Sequence, residues 1–335
     1  MRILITGANG FIGGFLVQEA LNRGYEIWAG VRGSSNCSNL QDPRIRFMYL
    51  DYQDLNNLTQ QLAAHVQTYG SWDYVIHNAG VTKTLDKAYF YQVNALYTHN
   101  LIEALHGANC SPQKFILMSS LSAFGKGDEK LFTPISLNDT PQPDTAYGKS
   151  KLAAELFLMQ QTYFPYVILR PTGVYGPGDK DYFVALKSIK YGLNFSAGMV
   201  HQRLTFIYVK DLVSVTFLAL ENQEVRNQSY FVSDGTVYTD NEFARLAKQA
   251  LNKRWVINIR IPLRMAWAAC YMSEWFSWLA SKSTVLNSDK YLIIKQRNWI
   301  CDVTPLQKDL GFTPQYTLAD GLKDAVDWYR SSGWL

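Results

Sequence analysis

The first stretch of the chain limits what the rest can be. Arg2-Ile3-Leu4-Ile5-Thr6 is a short, apolar, β-branched run that reads as a buried strand. It passes directly into Gly7-Ala8-Asn9-Gly10-Phe11-Ile12-Gly13, and apolar residues then recur at helical spacing from Phe15 to Leu21. Strand, glycine turn and helix in that order make an opening suited to a dinucleotide. Gly7 permits the tight turn, Gly10 lets the backbone approach a pyrophosphate, and Gly13 lets helix and strand pack closely. The amides and positive end of the helix, with Asn9, Phe11 and Ile12 beside them, would face the phosphates. The spacing is G-x-x-G-x-x-G, so on this stretch alone a glycine-rich turn of another α/β protein stays open.

Strands and helices alternate after this opening. Strand-like runs cover Glu26 to Val31, Arg44 to Leu50, Trp72 to Ile76, Lys114 to Met118 and Tyr166 to Leu169. Helical segments cover about Asp54 to Tyr69, Lys87 to His106, and the stretch after Thr145 to about Gln161. The pattern predicts an α/β fold with a doubly wound parallel sheet in the order 3-2-1-4-5-6. Ligands in such sheets bind beyond the carboxyl ends of the strands. Here those ends are Gly7 to Gly13, Val31-Arg32, Asp51-Tyr52, His77 to Gly80, Ser119-Ser120 and Pro171 to Gly178. At 335 residues the chain accommodates a nucleotide-binding domain and a smaller lobe. Residues 1–171 with about 203–240 are assigned to the first, and about 172–202 with 241–335 to a mixed substrate lobe. The aromatic-rich segment Pro262 to Ala280 reads as core of that lobe or as a wall for an apolar substrate.

A net charge of +4 without a basic run gives no reason to expect nucleic acid as a partner. Cys37, Cys110, Cys270 and Cys301 are widely separated and form no C-x-x-C, which fits reduced thiols and supplies no zinc motif. No metal site is expected. Arg264 and Glu274 interrupt the apolar run from Leu263 to Ala280, so no membrane span is expected. The immediate start of a core strand leaves no signal peptide, and a cytoplasmic protein is the expectation.

Tyr147 and Lys151 are four residues apart and share a helix face. A phenol of pKa about 10 exchanges protons poorly at neutral pH, and lowering it by about 3 units requires roughly 4 kcal/mol of preference for phenolate. A lysine charge near 4 Å supplies up to about that at an effective dielectric of 20. The spacing therefore predicts an acid/base pair in which the lysine lowers the tyrosine's pKa. Tyr291 and Lys295 repeat it, and there a structural pair is the expectation. Tyr147 differs in following a strand that ends in Ser119-Ser120, where Ser120 would hydrogen-bond the same substrate oxygen.

The stretches TGANGFIGG, HNAG, MSSLSAFG, YGKSK, LRPTGVYGPGD, IYVKDLV and DVTPLQKDLGFTP occur in one order along almost the whole chain. In these the chain resembles the extended short-chain dehydrogenase/reductases, the NAD-dependent epimerase/dehydratase family. Its PTGVYGPGD form is similar to 3β-hydroxysteroid dehydrogenase-like and dihydroflavonol-reductase-like members. The resemblance implies a Rossmann sheet and NAD or NADP as cofactor. It implies that Tyr147 is the catalytic acid/base, that Lys151 binds the nicotinamide ribose, and that Ser120, five residues before Gly125, polarises the substrate oxygen. Asp51 and Tyr52 would contact adenine. Asn78, Ala79, Gly80 and Asn94, with Pro171 and Val174, would shape the nicotinamide end. The helices at Lys87 to His106 and Thr145 to Gln161 would pair in a homodimer.

Three departures narrow the reading. Val31 stands where NAD-specific members carry an acid, and the following Arg32 suits a 2′-phosphate, which favours NADP. Leu121 and Ser122 stand where sugar-nucleotide dehydratases carry Asp-Glu. Nucleotide-sugar epimerases have an asparagine at the place of Gly173 and an arginine at that of Leu204, whereas Arg203 is one position off and would face the other way in a strand. The expectation is an NAD(P)-dependent oxidoreductase acting on a carbonyl or secondary alcohol of a small molecule. A nucleotide-sugar epimerase with retained NAD and a non-catalytic dinucleotide-sensing protein remain as alternatives.

Overall fold

A computed structural model describes residues 1–84, 86–280 and 287–335. The strands β1 (Arg2–Thr6), β2 (Glu26–Val31), β3 (Ile45–Tyr49), β4 (Tyr74–His77), β5 (Lys114–Met118) and β6 (Tyr166–Pro171) are parallel. They lie in the expected order β3-β2-β1-β4-β5-β6, and β7 (Gln228–Val232) extends the sheet in parallel beside β6. The inner strands are apolar on both faces because both are covered, whereas the edge strand β3 leaves Arg46, Phe47 and Tyr49 exposed. Ile3 and Ile5 of β1 join one core with α1 (Phe11–Asn22) and α7 (Val209–Glu221). Leu4, between them, joins the other core with α2 (Leu55–Tyr69), α4 (Tyr97–Gly107) and α5 (Ala146–Gln160).

One expectation changes. The single helix expected over Lys87 to His106 is α3 (Lys87–Tyr91), a π-helical turn over Gln92–Leu96, and α4. Such a turn fits an extra residue into the helix and re-aims side chains, and Asn94 lies in it. Near the end of the chain, Leu306 and Leu310 of α11 (Thr304–Leu310), with Phe312, pack into the core of the sheet.

The second lobe rises over the carboxyl ends of the strands. A parallel pair, Leu193–Ala197 with Ile257–Ile261, joins α6 (Asp181–Lys190), α8 (Asp240–Ala250), α9 (Leu263–Ala280), α10 (Ser288–Lys295) and α12 (Leu318–Ser331). The Tyr329 hydroxyl on α12 bonds the carbonyls of Gly176 and Asp179 at 3.0 and 2.6 Å. No helix among the described residues is long and apolar enough to cross a membrane.

Candidate active site

One cavity of about 2310 Å³ runs from the glycine turn to the helices of the second lobe. Gly7 has φ +63°, and a Cβ there would lie 2.7 Å from Ala79 Cα. A Cβ on Gly13 would lie 2.0 Å from the Gly7 carbonyl oxygen, so the close packing of helix on turn requires glycine. Gly10 caps α1 without a side chain over the helix end. The free amides of the first helical turn thus stand beside a cavity lined by Gly7, Asn9, Gly10, Phe11 and Ile12. This cradle fits a dinucleotide pyrophosphate.

At the end of β2 the chain folds back on itself. The Ser35 amide donates to the Arg32 carbonyl at 2.9 Å, and the Arg32 amide donates to Ser35 Oγ at 3.1 Å. Arg32 is exposed on the cavity rim and forms no ion pair with a described residue. Tyr52 also lines the cavity, but Asp51 does not. The Asp51 carboxylate instead accepts from the Gln53 amide and from Asn57 Nδ2, at 3.1 and 3.0 Å, and organises the entry to α2.

Beyond β4, Asn78, Ala79 and Gly80 line the cavity, as do Pro171 and Val174. Asn94 lies behind this wall. Its Oδ1 accepts from the Val81 amide at 2.8 Å, and its Nδ2 donates to the Val81 carbonyl and Ser150 Oγ, both at 3.0 Å. Below them, Thr98 Oγ1 donates to the Asn94 carbonyl and lies 2.9 Å from His77 Nε2, while His77 Nδ1 lies 2.8 Å from Thr6 Oγ1. With the Thr98 proton so committed, the imidazole carries its proton on Nε2 and accepts from Thr6 at Nδ1. Burial, helped by the Lys151 charge, holds the His77 pKa down at about 3, so the ring is a neutral brace.

Ser120, Tyr147 and Lys151 meet on the cavity wall. Ser119 gives its hydroxyl to the buried Glu155 carboxylate, while Ser120 caps the short turn Leu121–Ala123 and keeps its side chain at the cavity. Tyr147 stands in the first turn of α5, capped by Thr145 Oγ1 at 2.9 Å from the Gly148 amide. Its ring meets Phe90 edge-on at 5.9 Å. Lys151 Nζ donates to the Met118 carbonyl at 2.7 Å.

The electrostatics depart from expectation. Burial pushes the Tyr147 phenol up to about 12, with Ser120 pulling it down and Asp181 pushing it further up. Burial also lowers Lys151 to about 8, which Glu155 resists. The anticipated lowering of the tyrosine is absent because desolvation opposes charge on both partners and the ammonium is turned toward a carbonyl. The second Tyr-x-x-x-Lys pair is structural: Lys295 Nζ sits over the Tyr291 ring at 5.7 Å, and neither residue lines the cavity.

The two substitutions at the substrate end also have a visible outcome. Leu204 lines the cavity, whereas the exposed Arg203 does not. A Cβ on Gly173 would stand 2.0 Å from the Tyr182 hydroxyl, so the tyrosine occupies the room a side chain would need. Leu121 and Ser122 bring no acid to the wall.

Residues 3–233 match the family model described as the NAD dependent epimerase/dehydratase family. The chain belongs to this family. Among curated relatives it is 28% identical to a UDP-glucose 4-epimerase of Vibrio cholerae, over 97% of this chain and 94% of that protein. It is 25% identical to a 3-beta-hydroxysteroid dehydrogenase of Mycolicibacterium neoaurum, over 98% and 91%. Among solved structures it shares the fold of the UDP-glucose 4-epimerase of Thermotoga maritima, with a TM-score of 0.77, 22% identity and 99% coverage of both chains.

Two supports of the site are not legible in a family motif read along the chain. Arg170 binds Glu155 through three contacts of 2.7–3.1 Å, and Glu155 receives the Ser119 hydroxyl, so β6, α5 and the end of β5 are locked together. Asp289 of α10 accepts the Ala146 amide at 2.9 Å, capping the helix that carries Tyr147 from 143 positions away. The one sequence signal for the first was a glutamate one turn beyond Lys151; for the second there was none.

Proposed function

We propose that this family member is an oxidoreductase that reduces a carbonyl, or oxidises a secondary alcohol, of a small and largely apolar molecule. The observation that carries the reading is the meeting of Ser120, Tyr147 and Lys151 on the wall of the cavity that begins at the glycine turn. A nicotinamide dinucleotide held by the Gly7–Gly13 turn, Arg32, Tyr52 and Asn78 to Gly80 supplies or takes up the hydride when bound. In the reducing direction Tyr147, protonated across the neutral range, gives its proton to the substrate oxygen. Ser120 donates to the same oxygen and holds it. Lys151 uses one N–H on Met118 and keeps two for ribose hydroxyls, and its charge steadies the phenolate that Tyr147 becomes.

The inward Leu204, the outward Arg203 and the filled space at Gly173 support this reading over a nucleotide-sugar epimerase, because no diphosphate clamp stands at those places. The absence of an acid at Leu121 and Ser122 disfavours dehydration. The second reading, an epimerase with retained NAD, is supported by the 28% identity to the Vibrio cholerae enzyme. Arg32, beside Val31 and in no ion pair with a described residue, supports NADP as the cofactor, and exposed apolar residues on α5 and the π turn support a homodimer.

The test is turnover of alcohol and ketone panels with NADP(H) and NAD(H). Tyr147→Phe is expected to lower the rate by at least about 10²-fold, with cofactor binding intact by calorimetry. Retained NAD, an epimerised nucleotide sugar and no net change in nicotinamide absorbance would move the assignment to the second reading. Loss of turnover in Tyr291→Phe with none in Tyr147→Phe would overturn the assignment of the acid/base.

A further inference from the structure

We infer that Lys290 recognises a carboxylate carried by an otherwise apolar substrate, an inference that rests on the oxidoreductase reading and names its substrate class. Helix α10 and its N-cap Asn287 line the cavity through Asn287, Asp289, Lys290, Ile293 and Ile294, with Ile293 and Ile294 following Lys290 at helical spacing. Beside it, Ala266, Ala269 and Cys270 of α9, which is hydrogen-bonded to the start of α10 through Glu274 and Ser288, add further apolar surface. Lys83, Asp179 and Asp181 line the same cavity, yet Lys290 makes an ion pair with none of them, and an ammonium left so is expensive to bury without an anion.

The described carboxylates near it are engaged elsewhere. Asp181 pairs with Lys83. Asp179 accepts the amides of Asp181 and Tyr182 at 3.0 and 2.7 Å, capping α6. No described residue forms an ion pair with Lys290. Burial lowers its pKa; Lys83 acts in the same sense, and Asp181, Asp179 and Cys270 oppose. A bound anion would return the charge to a paired state.

The helix that carries Lys290 is also held in register with the reacting phenol. Asp289, its neighbour, accepts the Ala146 amide next to Tyr147 and lies 3.8 Å from Lys87 Nζ. Ser288 accepts from Lys87 Nζ at 2.8 Å and gives its amide to Glu274 of α9 at 2.9 Å. With α10 tied to α5, α3 and α9, the Lys290 backbone is fixed relative to Tyr147 within the one cavity that both residues line. One unit of positive charge matches a carboxylate better than a phosphate monoester, which carries about −1.5 to −2.

The experiment is calorimetric titration of the full chain, as purified and with added NADP, using decanoate and the uncharged isostere decanamide. Decanoate is expected to bind at least about 10-fold more tightly, the scale of one charge-assisted hydrogen bond. Lys290→Met is expected to remove that preference and leave decanamide binding unchanged, and Lys290→Arg to retain it. Undetectable decanoate binding, equal binding of the two, or a preference that survives in Lys290→Met overturns the proposal. No turnover is measured, so a failure here is separate from a failure of the oxidoreductase reading.

Discussion

Two side chains on α5 show how burial changes the chemistry that spacing alone predicts. Tyr147 and Lys151 share a helix face, yet desolvation raises the phenol to about 12 and lowers the ammonium to about 8. A depressed lysine keeps its charge below its folded pKa and loses it as pH rises through that value. If that charge supports proton transfer from Tyr147, kcat/KM for ketone reduction should fall as pH rises through about 8, approaching tenfold per unit. Steady-state rates on both sides of that value check this, and a profile flat to about pH 10 would remove Lys151 from the proton-transfer step. At Arg32, the guanidinium on the rim has no described acidic partner and Val31 offers no carboxylate. NADP should then bind roughly 10- to 150-fold more tightly than NAD. Arg32→Ala should erase the difference in calorimetry; equal or better NAD binding by the unaltered protein would reject the argument.

At the scale of elements, the site depends on locks between strands and helices. Glu155 and Arg170 are almost fully buried, and Arg170 also stacks over Phe124 at 4.6 Å. Removing one partner leaves a buried charge uncompensated, so Glu155→Gln should cost about 3–5 kcal/mol in urea unfolding. Pairing it with Arg170→Met should recover part of that loss. A double variant no more stable than the single one would show that the uncompensated arginine charge is not the cause. Because Glu155 supports the charge on Lys151, the same single variant should move the alkaline limb of the rate profile to lower pH. The π turn works in a similar way: by placing Asn94 where both its amide groups meet Val81, it shapes the wall after β4 without touching the cavity.

Across the whole molecule, α5 shows one side to the cavity and another to the outside. Leu156 and Met159 remain 48% and 49% exposed, and Leu96 at the end of the π turn is 39% exposed. Leu156 and Met159, three positions apart on one face of α5, offer apolar surface that a second copy is expected to cover. Light scattering at micromolar protein should give twice the chain mass, and Leu156→Lys with Met159→Lys should give the monomer. A monomeric mass for the unaltered protein would show that this surface is left in water.

The sequence by itself determined the sheet order, the glycine turn and the Tyr147–Lys151 face, because strand alternation, positive-φ turns and helical spacing are set by neighbours along the chain. Spacing does not distinguish that pair from Tyr291 and Lys295, but the upstream Ser119-Ser120 already set Tyr147 apart in the sequence; the tertiary structure put one pair on the cavity wall and the other in a cation–π contact outside it. It also kept Asp51 off the cavity wall, packed α11 against the core of the sheet, and brought Asp289 to the start of α5 across 143 positions. Those outcomes follow from desolvation and from which distant elements pack together, and neither is written in the local order of residues.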